Sequence, residues 1–97
     1  MEIKKPVNIT QVEIMPFRPK DGSLGFAACV VNGQFHLSDI VIFLRPKGGI
    51  RLGYPIKMLS NGISLDIFKP LHKGTQTAIE AAIAKKFGSL HDHAKQI

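Results

Sequence analysis

Lysine and arginine crowd one part of this chain. Residues 45–73, RPKGGIRLGYPIKMLSNGISLDIFKPLHK, hold six basic side chains: Arg45, Lys47, Arg51, Lys57, Lys69 and Lys73. Against them stands one acid, Asp66, for a net of +5. The first 44 residues balance four bases with four acids, and residues 74–97 add +1 to complete the chain's +6. Cations gathered this way attract polyanions. On a nucleic acid they displace counterions from the phosphates and carry little base-sequence information. Tyr54 and Phe68 lie within the stretch and are able to stack on bases, although core packing is the simpler role for each.

Other chemistry is thinly represented. The seven acids are scattered singly, so no carboxylate pair for glycosidase-type acid–base work is legible. No Walker loop, dinucleotide-binding glycine pattern or nucleophile elbow occurs, and RPKGGIR has the wrong spacing to cradle a nucleotide. His36 and His72 are isolated. His91, Asp92 and His93 are metal-ligand types, but alternate residues near a chain end hold no fixed geometry. The expectation is a protein that is not an enzyme and has no metal, no cofactor and no small-molecule substrate.

Composition narrows the setting. An apolar content of 44% and a charged content of 21% suit a soluble globular domain. No apolar run approaches the ~20 residues that span a bilayer, so no membrane partner is expected. The opening MEIKKPVN has lysines without an apolar core and does not read as a secretory signal. The single cysteine, Cys29, fits a reducing compartment and sits in the apolar run FAACVV, where a small buried hydrophobe is the expected role. The implied location is cytoplasmic.

The elements that must carry the basic residues are mostly strands. VNITQVEIMPF alternates, with a change of phase at Thr10-Gln11 that predicts a bulge. Pro16 and Pro19 are expected to end that strand, with a turn over RPKDG. Residues 24–31 form a central strand, and Asn32-Gly33 signals a two-residue type I′ turn pairing Val30 with Phe35 and Ala28 with Leu37. The third strand runs from Gln34 to about Leu44. Its Asp39 falls on an apolar face, which predicts a partly buried carboxylate held by backbone N–H groups.

Beyond the loop RPKGG, residues 51–59 and 63–68 form a second hairpin about Asn61-Gly62. A type I′ turn there sets Met58 opposite Leu65, Ile56 opposite Ile67, and Lys57 opposite Asp66. Pro55 argues for an edge strand or a kink. A helix follows, with Ile79, Ala82, Ile83 and Phe87 in one stripe. Thr75, or Thr77 with Glu80, would cap its start, and Gly88 would end it. Lys85 and Lys86 in its last turn are secondary candidates for phosphate contact.

The fold class is α+β: a small antiparallel sheet of about five strands with one C-terminal helix. Residues 1–88 read as one domain and residues 89–97 as a flexible tail. One short helix cannot seal both faces and edges of such a sheet, and a homodimer is the simplest way to cover the remainder.

Several of these segments together resemble a known family. The spaced residues of Ile9 to Ile14 open the match, followed by the turn at Gly22, then Phe35 and Asp39-Ile40. RLGYPIK, Asn61-Gly62, DIFKP and the helix from Gln76 to Ile83 complete it. The pattern is similar to the stage V sporulation protein G (SpoVG, septation protein) family over about residues 7–87. The resemblance implies a small dimeric bacterial protein that binds nucleic acid and regulates sporulation- or division-type programmes. It also implies a basic pair after the proline of the fourth strand. Lys57 matches the first member, Met58 occupies the second place, and Leu65 stands where a further arginine is often found. The acidic tail common in the family is missing.

The functional expectation is a regulator that binds nucleic acid, DNA ahead of RNA. Arg45, Lys47, Arg51, Lys57, Lys69 and Lys73 would contact phosphates. The alternative is a protein-interaction adaptor that uses an exposed sheet edge.

Overall fold

The computed structural model describes residues 7–95. The N-terminal reading over residues 1–6 and the last two tail residues lie outside the described residues. Six strands and one helix follow in order: β1 (Ile9–Lys20), β2 (Ser23–Val31), β3 (Phe35–Leu44), β4 (Ile50–Gly53), β5 (Ile56–Met58), β6 (Ser64–Asp66) and α1 (Lys73–Lys95). Strands β1 to β4 form one antiparallel sheet in sequence order, and β5 and β6 pair as a separate two-stranded sheet. The class is α+β, with the expected single sheet divided in two.

The core lies between the four-stranded sheet and α1. Ala27 and Cys29 from β2, Ile40 and Ile42 from β3, and Ile50 and Leu52 from β4 are buried against Ile79 and Ile83 of the helix. The core residues of β2 are small, and Cys29 is fully buried as expected. The helical stripe is borne out, since Phe87 and Ala84 also pack against this cluster.

Two bulges flank β2 at one level. On β1, Gln11 and Val12 oppose the single residue Cys29, and Gln11 takes a left-handed φ of 49°. On β3, Ser38 and Asp39 oppose Ala28, with Asp39 at φ 61°. An extra residue on each side bends and twists the sheet around the helix. The bulge expected near Thr10-Gln11 is present. Asp39 departs from expectation, because the bulge turns its carboxylate out and leaves it exposed.

The turns account for most other differences. Strand β1 continues through Pro16 and Pro19 to Lys20, which an edge strand tolerates. The turn that closes it has only two residues, Asp21 and Gly22, at φ 54° and 85°, the type I′ signature. Asn32 and Gly33 have positive φ, but Gln34 joins the loop, so Val31 pairs with Phe35 and Val30 with His36. That is one residue away from the predicted register. At the helix, α1 starts at Lys73 and places Thr75 and Thr77 inside the first turns rather than at the cap. It then runs past Gly88 to Lys95, through most of the predicted tail.

The left-handed bulge residue is directly testable. Gln11 is exposed, and glycine tolerates its φ without the Cβ penalty. Gln11→Gly should raise unfolding stability by about 1 kcal/mol, whereas Thr10→Gly should lower it by about 0.5–1 kcal/mol. Denaturant unfolding reads both changes, and a destabilised Gln11→Gly would place Gln11 in ordinary strand geometry.

Candidate nucleic-acid interface

The basic residues sit on two ends of the molecule. Arg45 and Lys47 belong to the β3–β4 loop, and Arg51 lies on β4, paired with Phe43. This loop is a tight turn. The Gly48 N–H donates to the Arg45 carbonyl at 3.0 Å, and the Arg45 N–H donates to the Gly49 carbonyl at 3.0 Å. Pro46 fits the second position of such a turn, and Lys47 stands exposed at its tip. The β1–β2 turn lies alongside, since the Leu44 N–H donates to the Gly22 carbonyl at 3.0 Å. That contact brings Arg18 and the Lys20 position to the same end of the sheet.

The second group gathers around the hairpin and the helix start. Lys57 lies on β5, Lys69 follows β6, and Lys73 is the first residue of α1. A groove lined by Val31, Phe35, Leu37, Phe68, Lys69 and Pro70 places this group beside the β2–β3 turn. The two groups are thus at opposite ends of β3, roughly 30 Å apart along a ten-residue strand. Within one chain they do not merge.

Ion pairing grades the six. Arg45 donates from Nε to the Ile50 carbonyl at 2.8 Å and from Nη2 to Glu80 at 3.3 Å, so it ties its loop to the helix. Glu80, predicted as a capping residue, instead takes this arginine and, at 3.4 Å, the Gln76 amide. Lys69 pairs with Asp66 at 2.8 Å. Lys47, Lys57 and Lys73 pair with no acid among the described residues. Arg51 lies over the Phe43 ring, 4.2 Å from its centroid. Lys73 caps no carbonyl: a cation in the first turn opposes the helix dipole, and no acid lies in that turn to offset it. Lys85 and Lys86 are exposed on α1.

The hairpin departs from its predicted register. Ile56 pairs with Asp66, Lys57 with Leu65, and Met58 with Ser64. Asn61 does not take positive φ. Its side chain accepts the Ile63 N–H at 3.1 Å, and Gly62 alone is left-handed at 87°. The Leu59 N–H donates to the Ile63 carbonyl at 2.8 Å, which closes a three-residue loop where two were expected. A slip of one residue reverses which side chains share a face. Lys57 therefore lies beside Leu65 and not Asp66, which pairs with Lys69.

The SpoVG family model matches residues 7–89. The chain belongs to the SpoVG family. The match spans every strand and most of the helix, and it places the chain among small proteins associated with sporulation and septation. No curated protein matches it. Met58 and Leu65 are exposed on the hairpin. No helix is long and apolar enough to cross a membrane among the described residues. Those residues also include no group of three metal-ligating side chains, and the side chains of His91, Asp92 and His93 lie outside the described set.

Tyr54 and Phe68 are not stacking residues. Both pack against the core and meet edge to face, with centroids 6.0 Å apart. The Tyr54 hydroxyl is buried without a hydrogen-bond partner among the described residues. Burial first, then the charges of Glu80 and Cys29, push its pKa up to about 12; burial also raises that of the Cys29 thiol. Tyr54 is the chain's one tyrosine, so phenolate absorbance reports it alone. The folded protein should titrate near 12 and the denatured chain near 10. The neutral phenol favours the folded state, so this contribution is complete below about pH 10 and is lost as pH rises through 12. A folded-state midpoint at 10 would place the ring in solvent.

Proposed function

We propose that this SpoVG-family chain is a non-enzymatic regulator that binds nucleic acid, DNA ahead of RNA, in the cytoplasm. Arg45, Lys47, Arg51, Lys57, Lys69 and Lys73 contact phosphates in two groups. The observation that carries the reading is the exposure of Lys47, Arg51, Lys57 and Lys73 without an acid partner among the described residues. Exposed charges without an acid partner are available to a polyanion, and each phosphate they meet releases counterions.

The active species is a homodimer in which the β5–β6 hairpins meet. Ile56, Met58, Ile63, Leu65 and Ile67 are all exposed on the two-stranded hairpin, which no other element covers among the described residues. An isolated hairpin of this kind is marginal in water, and a second copy supplies the missing contact. Dimerisation also brings four basic groups, two from each chain, into one assembly. Light scattering should report twice the 10.7 kDa chain mass. A stable monomer would favour the second reading, an adaptor that uses the same apolar hairpin to dock a different protein.

Charge reversal tests the phosphate contacts. Arg51→Glu with Lys57→Glu should weaken binding to duplex DNA by at least tenfold at low salt, through lost counterion release and added repulsion. The melting temperature should stay within a few degrees, because neither side chain is buried. Unchanged affinity in the double variant would remove both residues from the interface.

A further inference from the structure

The helix covers one face of the four-stranded sheet, and the opposite face is aromatic. Met15 and Phe26 are paired across β1 and β2, with 70% and 42% of their surface exposed. Phe26 pairs onward with Val41, and Val41 with Gly53. The next row holds Phe43, paired with Arg51. Phe17 meets Phe26 edge to face, with centroids 5.2 Å apart. At Gly53 an added Cβ would sit 2.7 Å from the Phe43 ring, so glycine makes room for that ring over β4.

We propose that this outer face is a stacking platform for the unpaired bases of a single nucleic-acid strand. The proposal rests on the phosphate-binding reading and adds the form of the ligand and the site of its bases. Three observations meet here. First, Phe26 and Phe43 stand on the two central strands as diagonal neighbours, roughly 7–8 Å apart. Second, the guanidinium carbon of exposed Arg51 lies 4.2 Å from the Phe43 ring centroid, and a guanidinium is itself a stacking partner for a base. Third, the charge is placed to match: Arg18, Lys47 and Arg51 are exposed at the end of the sheet nearest these aromatics, where Asp21 is the exposed acid and Glu80 is engaged by Arg45.

Bases lying on Phe26 and on the Arg51–Phe43 pair would leave the backbone to run past the basic turns. A duplex keeps its bases paired and stacked, so it presents only phosphates to the same surface. The platform therefore discriminates between single strand and duplex, whereas the basic turns alone do not. Stacking tolerates any base, because each has a π-face.

The test uses a fluorescein-labelled DNA strand of about ten nucleotides and the blunt duplex formed with its complement. Phe26→Ala should weaken single-strand binding roughly 5- to 100-fold, Phe26→Tyr should preserve it, and duplex affinity should not move. In the wild-type protein labelled at methionine methyl groups, the Met15 resonance should shift when the single strand is added. A Met15 methyl that stays in place, or equal losses for strand and duplex, overturns the platform. So does a drop in oligomeric mass caused by Phe26→Ala, which would mean that a second copy covers this face. Duplex binding that persists while Phe26→Ala leaves single-strand affinity unchanged defeats the platform alone. No binding of either probe to the folded wild type defeats the phosphate reading as well.

Discussion

One helix against one face of a curved sheet is the contact on which the molecule depends. Ile79 and Ile83 seat on Ala27, Cys29, Ile40, Ile42 and Leu52, and these residues form the buried core. A core this small has little reserve, and burial of its apolar area is the main favourable term holding it. The paired bulges on β1 and β3 serve that contact. By bending both neighbours of β2 at the level of Ala28, they curl the sheet around a helix that could not cover a flat one.

What is left bare follows from the same economy. With a single helix spent on the inner face, Met15, Phe26 and Phe43 stay on the outer one, and the hairpin projects without cover. Pro55 sets the projection, because it interrupts the chain between β4 and β5, and the strand resumes in a separate sheet. Apart from Arg51 on β4, the basic residues are carried on the parts that the core does not use: the turns, the hairpin and the start of the helix. On the proposed reading, phosphate contact and stability are thereby assigned to different residues. Arg45 is the exception, since its bonds to Ile50 and Glu80 fix the loop that displays Lys47.

Much of this was legible in the residues. Alternation marked β1 and the first half of β3, a short apolar run between turn signals marked β2, the spacing of Ile79, Ile83 and Phe87 marked the packed face of the helix, and the phase change at Thr10-Gln11 marked a bulge. Register was less legible. Asn-Gly specifies a turn, but whether two or three residues close it depends on neighbouring contacts, here Asn61 with the Ile63 N–H. The helix end was misread because Gly88 is an optional stop and nothing beyond it breaks the helix. The division of the cations between two ends could not be read from a contiguous stretch, since the chain reverses within it. The aromatic outer face was available in principle, as Phe26 and Phe43 have the parity opposite to Ala27 and Ile42. It was masked because residues 24–31 and 40–44 are apolar at nearly every position.

The central claim is that phosphate contact by the two basic groups drives binding. Its most direct test is the salt dependence of affinity for duplex DNA, followed by fluorescence anisotropy on the wild-type protein. Each phosphate contact contributes a slope of about −0.9 in log affinity against log salt, so the four cations without an acid partner in each chain imply a slope of about −3 to −4 per engaged subunit. A steep linear fall of that size is the predicted result. A flat response, or no binding at low salt by a folded protein, would contradict the claim and transfer the function to the apolar hairpin.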